Sequence, residues 1–173
     1  DNQQLAASLY AAYQQVAANN DATARAELFR LMPQLTNWGD FSQLAEEGSD
    51  PLADLLGWLW DERASLSEQE LTATIELAAS SLDGAYSEGL QALYYDRFLA
   101  DATLFLTAMS QASEAAQEQA ANLLAAELYY YAQTPWEDNL PDLDQQQQAA
   151  LEQILAQKDY WLQQRAGDTA ISE

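Results

Sequence analysis

The sequence predicts an all-α protein, and three observations carry that expectation. Ala, Leu, Gln and Glu, all good helix formers, dominate the 173 residues. Gly and Pro number only six and four, so few positions interrupt a helix. Apolar residues recur at three- and four-residue spacing, and no Asn-Gly turn between alternating apolar residues announces a hairpin of strands. A chain of this length is one domain, large enough to bury most of its apolar surface. We expect seven to nine antiparallel helices over residues 1–166, with 167–173 as a frayed tail. They would form either stacked helical hairpins, a short superhelix of the HEAT or TPR kind, or an irregular bundle.

In chain order, Leu5, Leu9, Tyr13 and Val16 mark a first helix over 3–18, and Asn19 and Asn20 turn the chain. Asp21 caps a second helix carrying Leu28, Leu31 and Met32, which should stop near Pro33. A loop follows with Trp38, then a short helix over 41–47 ending at Gly48. The most apolar segment is 51–64, and the other helices are expected to pack around it. Asp50 is its cap, and Pro51 has φ preset for the first helical position. Leu52, Leu55, Leu56, Leu59 and Trp60 should form its buried stripe, with Trp58 off that stripe.

Ser67 and Glu70 fit a capping box opening a helix over 68–82 that stops at Asp83 and Gly84. Helices over 85–97 and 102–111 follow, separated by a break near Ala100 and Asp101. Ser113 caps another over 114–131. A second capping-box match, Thr134 to Glu137, opens a loop through Asp144 that precedes a last helix over 143–165. A faint echo links Asp21-Ala22-Thr23, Asp50-Pro51-Leu52 and Asp101-Ala102-Thr103, each an Asp before an apolar helix, but the intervals are unequal.

Charge limits the partners. There are 28 acids against six bases, a net −22 at pH 7, with Lys158 the only lysine. Such a surface repels nucleic acid and anionic lipid, so neither nucleic-acid binding nor membrane insertion is expected. No apolar run reaches the eighteen or so residues of a membrane span. The acidity suits salty surroundings or a basic protein partner; a third reading, imitation of nucleic-acid phosphates, has against it that the acids form no evident regular rows.

Chemistry is limited by absences. With no His and no Cys, triads built on either residue and the usual zinc sites are excluded. No glycine-rich phosphate loop is present, and among so many acids a hydrolytic carboxylate pair carries no specificity. The Glu137–Asn139 and Asp142–Asp144 cluster lacks the central Gly of a calcium loop and reads as a solvated loop. We expect no cofactor, no metal and no enzymatic activity.

What remains is binding. Asp54, Trp58, Asp61 and Glu62 lie within a turn of one another on the side of their helix away from the leucines. Residues 40–76 hold ten acids against Arg63 alone. If Trp58 is exposed, this is a face for a basic protein; the bland alternative is a solvated acidic face with Trp58 covered by a neighbouring helix. The expected function is therefore a protein-interaction module of the inhibitor, immunity or envelope-adaptor kind. The alternative is a small-molecule or peptide binder using an aromatic cleft between helical hairpins. A first residue other than Met and the absence of Cys suggest a bacterial periplasmic or secreted protein after leader removal; a cytoplasmic chain trimmed at its start is the alternative.

Overall fold

A computed structural model describes residues 1–132 and 135–172. Thr134, the proposed cap of the second capping box, and Glu173 of the expected tail lie outside the described residues. The chain is all-α, with no strand among the described residues. Among the described residues, nine helices have nine residues or more: α1 (Asn2–Asn19), α2 (Ala22–Leu31), α4 (Pro51–Glu62), α5 (Glu68–Glu76), α6 (Gly84–Ala100), α7 (Ala102–Gln111), α8 (Glu114–Ala125), α9 (Gln145–Leu155) and α10 (Lys158–Ile171). A single short one, α3 (Trp38–Ser42), joins them.

Side-chain caps explain most of the helix starts. Asp21, Asp50 and Asp101 each accept a hydrogen bond from the amide three residues on, satisfying a donor the helix cannot. The echo in the sequence is thus a repeated cap. Ser67 with Glu70 and Asp144 with Gln147 form full capping boxes.

Four boundaries differ from expectation. The short helix spans Trp38–Ser42, earlier than 41–47, because Asn37 caps it through the Gly39 amide. The helix from Ser67 tightens into a 3₁₀ turn at Leu77–Ser80 and ends at Ser81, whose φ of 52° is left-handed; Asp83 and Gly84 begin the next helix and do not end this one. The run 114–131 changes at Ala126 into a π-helical turn, Ala126–Tyr131. The last helix is two, α9 and α10, broken at Ala156 and Gln157; residues 167–171, read as tail, continue α10.

The helices stack in two layers. α4 packs on α6 and α6 on α8, while α5 packs on α7 and α7 on α9; α8 with α5 and α9, and α6 with α7, join the layers. The α1–α2 pair and α3 close one end, α3 against α4 and α2 against α5. α10 docks at the other end on the π-helical turn. Because α4 and α6 are alternate members of one layer, they run parallel: Asp50 meets Tyr86 at their starts, and Arg63 meets Asp96 near their ends.

The core sits between the layers. Phe98 lies edge-to-face 5.1 Å from Trp136 and 5.9 Å from Phe105, and Tyr94 lies 5.9 Å from Phe105. Tyr94 is fully buried, and its hydroxyl donates to the carbonyls of Thr74 (2.8 Å) and Ile75 (3.2 Å). Those carbonyls belong to the last turn of α5, where they share the Leu77 amide as a backbone donor and the phenol supplies another. Burial pushes the Tyr94 phenol far above its usual range, so it remains a donor. The segment 51–64 is therefore not the hub. Its leucines Leu52, Leu55 and Leu59 are buried, but α4 lies at the α3 end of its layer. No helix of the described residues is long and apolar enough to cross a membrane.

Candidate functional site: a groove between α4 and α6

Of the four residues chosen from the sequence, two are engaged within the chain. Trp58 is half-buried, its ring 5.9 Å from Phe29 of α2 and 5.4 Å from the Arg25 guanidinium. Glu62 pairs with Arg25 at 3.2 Å and accepts from the Ser65 hydroxyl at 2.9 Å. Arg25 also meets Glu70 through two nitrogens, at 2.6 and 3.2 Å. Burial pushes the Glu70 carboxyl up, but the Arg25 bonds and the Ser67 amide outweigh it and hold it below the usual range. The cation that the Trp58–Glu62 face attracts is thus the chain's own Arg25.

Asp54 and Asp61 are exposed, and neither side chain makes an ion pair or hydrogen bond among the described residues. Asp54 faces Tyr13 of α1, whose phenol is raised first by burial and then by that charge. The structure does not gather the four residues into one open patch.

The exposed tryptophan is Trp60, at 38 %. It was expected inside, and the reason it is outside is visible on the helical wheel. At about 100° per residue Trp60 stands at the edge of the leucine stripe, next to Ala53 and Gly57. The facing surface of α6 offers only Ala85, Gly89 and Ala92 there, too small to cover an indole. The result is a groove of about 560 Å³ between the two helices, with a small-residue floor, walls of Leu56, Trp60 and Tyr86, and Asp50 and Asp83 at one end.

The glycines on that floor are informative. A Cβ placed on Gly57 or Gly89 would meet nothing within 4 Å, so no packing inside the chain requires either. Each sits inside a helix, where Gly is less stable than Ala by about 0.5–1 kcal/mol. Mid-helix glycines with no internal partner were the sequence signal for this groove. The pairing of Gly57 with Gly89 across two helices was not legible from either alone.

At the acidic end Asp50 accepts from the Ala53 amide (3.0 Å) and the Tyr86 hydroxyl (2.7 Å). Both bonds hold its carboxyl below the usual range, so it is ionised at neutral pH, and the same bond raises the Tyr86 phenol. Asp83 begins α6 without making a side-chain cap bond. At the far end Arg63 lies 3.9 Å over the Trp60 ring and donates to the Trp60 carbonyl at 2.8 Å. Its Nε is 3.1 Å from Asp96, an ion pair by distance, although Nε makes no hydrogen bond. The groove can therefore take an apolar group in its length and a cation at the Asp50–Asp83 end. Its one engaged carboxylate is tuned to stay charged, the opposite of a general acid.

The Glu137–Asp144 loop is committed elsewhere. Glu137 pairs with Lys158 at 3.0 Å and accepts from Tyr129 at 2.8 Å, and these two contacts keep it below the usual carboxyl range. No group of three or more acids that could hold a metal ion occurs among the described residues.

Fold and groove define a helical two-layer protein with a surface cleft lined by aromatics and carboxylates. The chain matches no protein-family model, no curated protein and no solved structure.

Proposed function

We propose that this is a non-enzymatic interaction module that binds a partner protein through an apolar segment bearing Lys or Arg, seated in the α4–α6 groove. One observation carries the reading: an exposed Trp60 and a clear small-residue floor lead to an ionised Asp50 beside an uncommitted Asp83. An aromatic-walled pocket suits an apolar anchor, and carboxylates at its end suit the flanking cation. Asp54 and Asp61, exposed on α4, add to the field that draws a basic segment in. The same volume lies within the range of small-molecule sites, about 300–1,000 Å³, which favours a cationic amphiphile as the second reading.

An amphipathic Lys/Leu peptide is the probe, with Trp60 emission as the readout and Trp60→Phe as the blank. Binding should weaken steeply as salt rises from about 0.1 M to about 1 M, where the Debye length shrinks from about 10 Å to about 3 Å. Asp54→Lys with Asp61→Lys should slow association and flatten that salt dependence. Gly57→Leu should block the groove and abolish binding while the fold persists. A peptide that binds Gly57→Leu as well as it binds the parent chain ends this reading. A simple alkylammonium that binds as tightly as the peptide favours the second.

A further inference from the structure

The α4–α6 groove has a direction as well as a chemistry. Its two helices run parallel, with Asp50 and Asp83 at their starts and Trp60 near the end of α4. Charge along it is one-ended. Both carboxylates stand at the start, while at the far end Arg63 stacks on the Trp60 ring and its Nε lies 3.1 Å from Asp96. From Asp50 to Trp60 is about 15 Å at the helical rise, the length of roughly three turns of a partner helix.

The lining decides what kind of backbone fits. Floor and walls are themselves helical, so their amides and carbonyls are spent within α4 and α6, apart from the ends. No sheet edge is on offer, since there is no strand among the described residues. The Tyr86 hydroxyl already donates to Asp50. An extended segment laid on Ala53, Gly57, Ala85, Gly89 and Ala92 would bury amides and carbonyls without partners, which is costly. A helix satisfies its own backbone and needs only small residues beneath it, where two helices can approach closely.

The start of α6 adds a polarity. Asp21, Asp50 and Asp101 cap their helices through side-chain bonds, whereas Asp83 makes none. The α6 start, with Gly84 and Ala85 on the groove lining, therefore has no side-chain cap. The last turn of any helix ends in carbonyls without donors, and its dipole favours cations there. Carbonyls and cation together match an uncapped helix start set between two carboxylates.

We infer that the groove takes an α-helix of roughly three turns, antiparallel to α4 and α6, with an apolar stripe against Leu56 and Trp60 and Lys or Arg in its last turn beside Asp50 and Asp83. This rests on the groove being a binding site, as proposed above, and names the shape and polarity of what enters it. Antiparallel seating also sets the dipole of the guest against those of its two hosts.

The test uses three acetylated and amidated Leu/Ala/Lys peptides of one length and one charge, so that general attraction to a chain of net charge −22 is the same for all. The first has its lysines in the last turn, the second has the reversed sequence, and the third is the first with a central Ala replaced by Pro. Trp60 emission reports binding, with Trp60→Phe as the blank, and circular dichroism follows peptide helicity. The first should bind tightest and gain helix on binding. The reversed peptide should bind several-fold more weakly, and Asp83→Asn, which removes no cap bond, should narrow that difference. The Pro peptide should lose about a hundredfold, the factor corresponding to the roughly 3 kcal/mol that Pro costs inside a helix. A Pro peptide that binds as well as the first overturns the helix, and a reversed peptide that binds equally overturns the direction; the groove reading survives both. A difference that Asp83→Asn leaves untouched also overturns the direction. Failure of all three peptides to bind removes the groove reading and this inference with it.

Discussion

Arg25 shows how much a single side chain can redirect. Its guanidinium lies against Phe29 and Trp58, at 5.7 and 5.4 Å, with Glu62 and Glu70 holding it from the polar side. The spacing of Asp54, Trp58, Asp61 and Glu62 was legible as a shared helical face, because it is fixed by 3.6 residues per turn. What covers that face arrives from residue 25 across a tertiary contact, and no local pattern encodes it. Glu70 is the member to test, since it also completes the Ser67 capping box. Glu70→Gln keeps an acceptor for the Ser67 amide but leaves Arg25 without its bidentate charge. The expected cost is about 1.5–3 kcal/mol, the range for hydrogen bonds to charged groups. The substitution also changes the acid limb. Asp50, Glu70 and Glu137 are all held below the usual carboxyl range in the folded chain. The folded state therefore gives up these protons more readily than the unfolded one. Their stabilisation is complete above the ordinary carboxyl value and drains away as pH falls below about 4.5. Melting temperature against pH should fall less steeply below that value in Glu70→Gln than in the parent. Parallel acid limbs would mean the Arg25–Glu70 pair contributes nothing.

Among elements, helix starts were the easiest feature to read and helix ends the hardest. A cap such as Asp21, Asp101 or Ser113 acts on amides two or three residues away, so its signal is local. Ends depend on what the last carbonyls meet. α5 tightens where Tyr94 reaches its final turn, and Ser81 adopts the left-handed conformation at that end, while the nearby Gly84, also at positive φ, opens α6. The division between α9 and α10 falls at Ala156 and Gln157, with neither Gly nor Pro to mark it. Trp60 was misplaced for the same kind of reason. A wheel ranks positions by angle, but whether an edge position is covered depends on the neighbour, here the small residues of α6. Helix interiors also hold the clearest stability prediction. Gly57→Ala and Gly89→Ala remove a flexible residue from α4 and α6 at places with room for the methyl group. Each should add about 0.5–1 kcal/mol, or about 1–4 °C in melting temperature for a chain of this size. Together they should add nearly independently. A fall in melting temperature for either would show that some packing does need the glycine.

At the scale of the molecule the balance is between 28 acids and six bases. Among the described residues five bases are paired, with Glu27, Glu62, Glu70, Asp96 and Glu137 as their carboxylates. Salt therefore acts in two directions. It screens these few pairs, most of them near the surface and each worth at most about 1 kcal/mol when exposed. It also screens the mutual repulsion of the far more numerous unmatched acids, which favours the expanded chain. The second effect involves many more charges, so melting temperature should rise from low salt toward about 1 M. The measurement is a melting series in salt at two protein concentrations. A rise that ignores protein concentration is intramolecular repulsion being screened. A flat or falling series would mean the acids are far enough apart that the net charge of −22 costs the fold little. The acidity would then answer to a partner, and the groove on α4 and α6 would be the place to look for it.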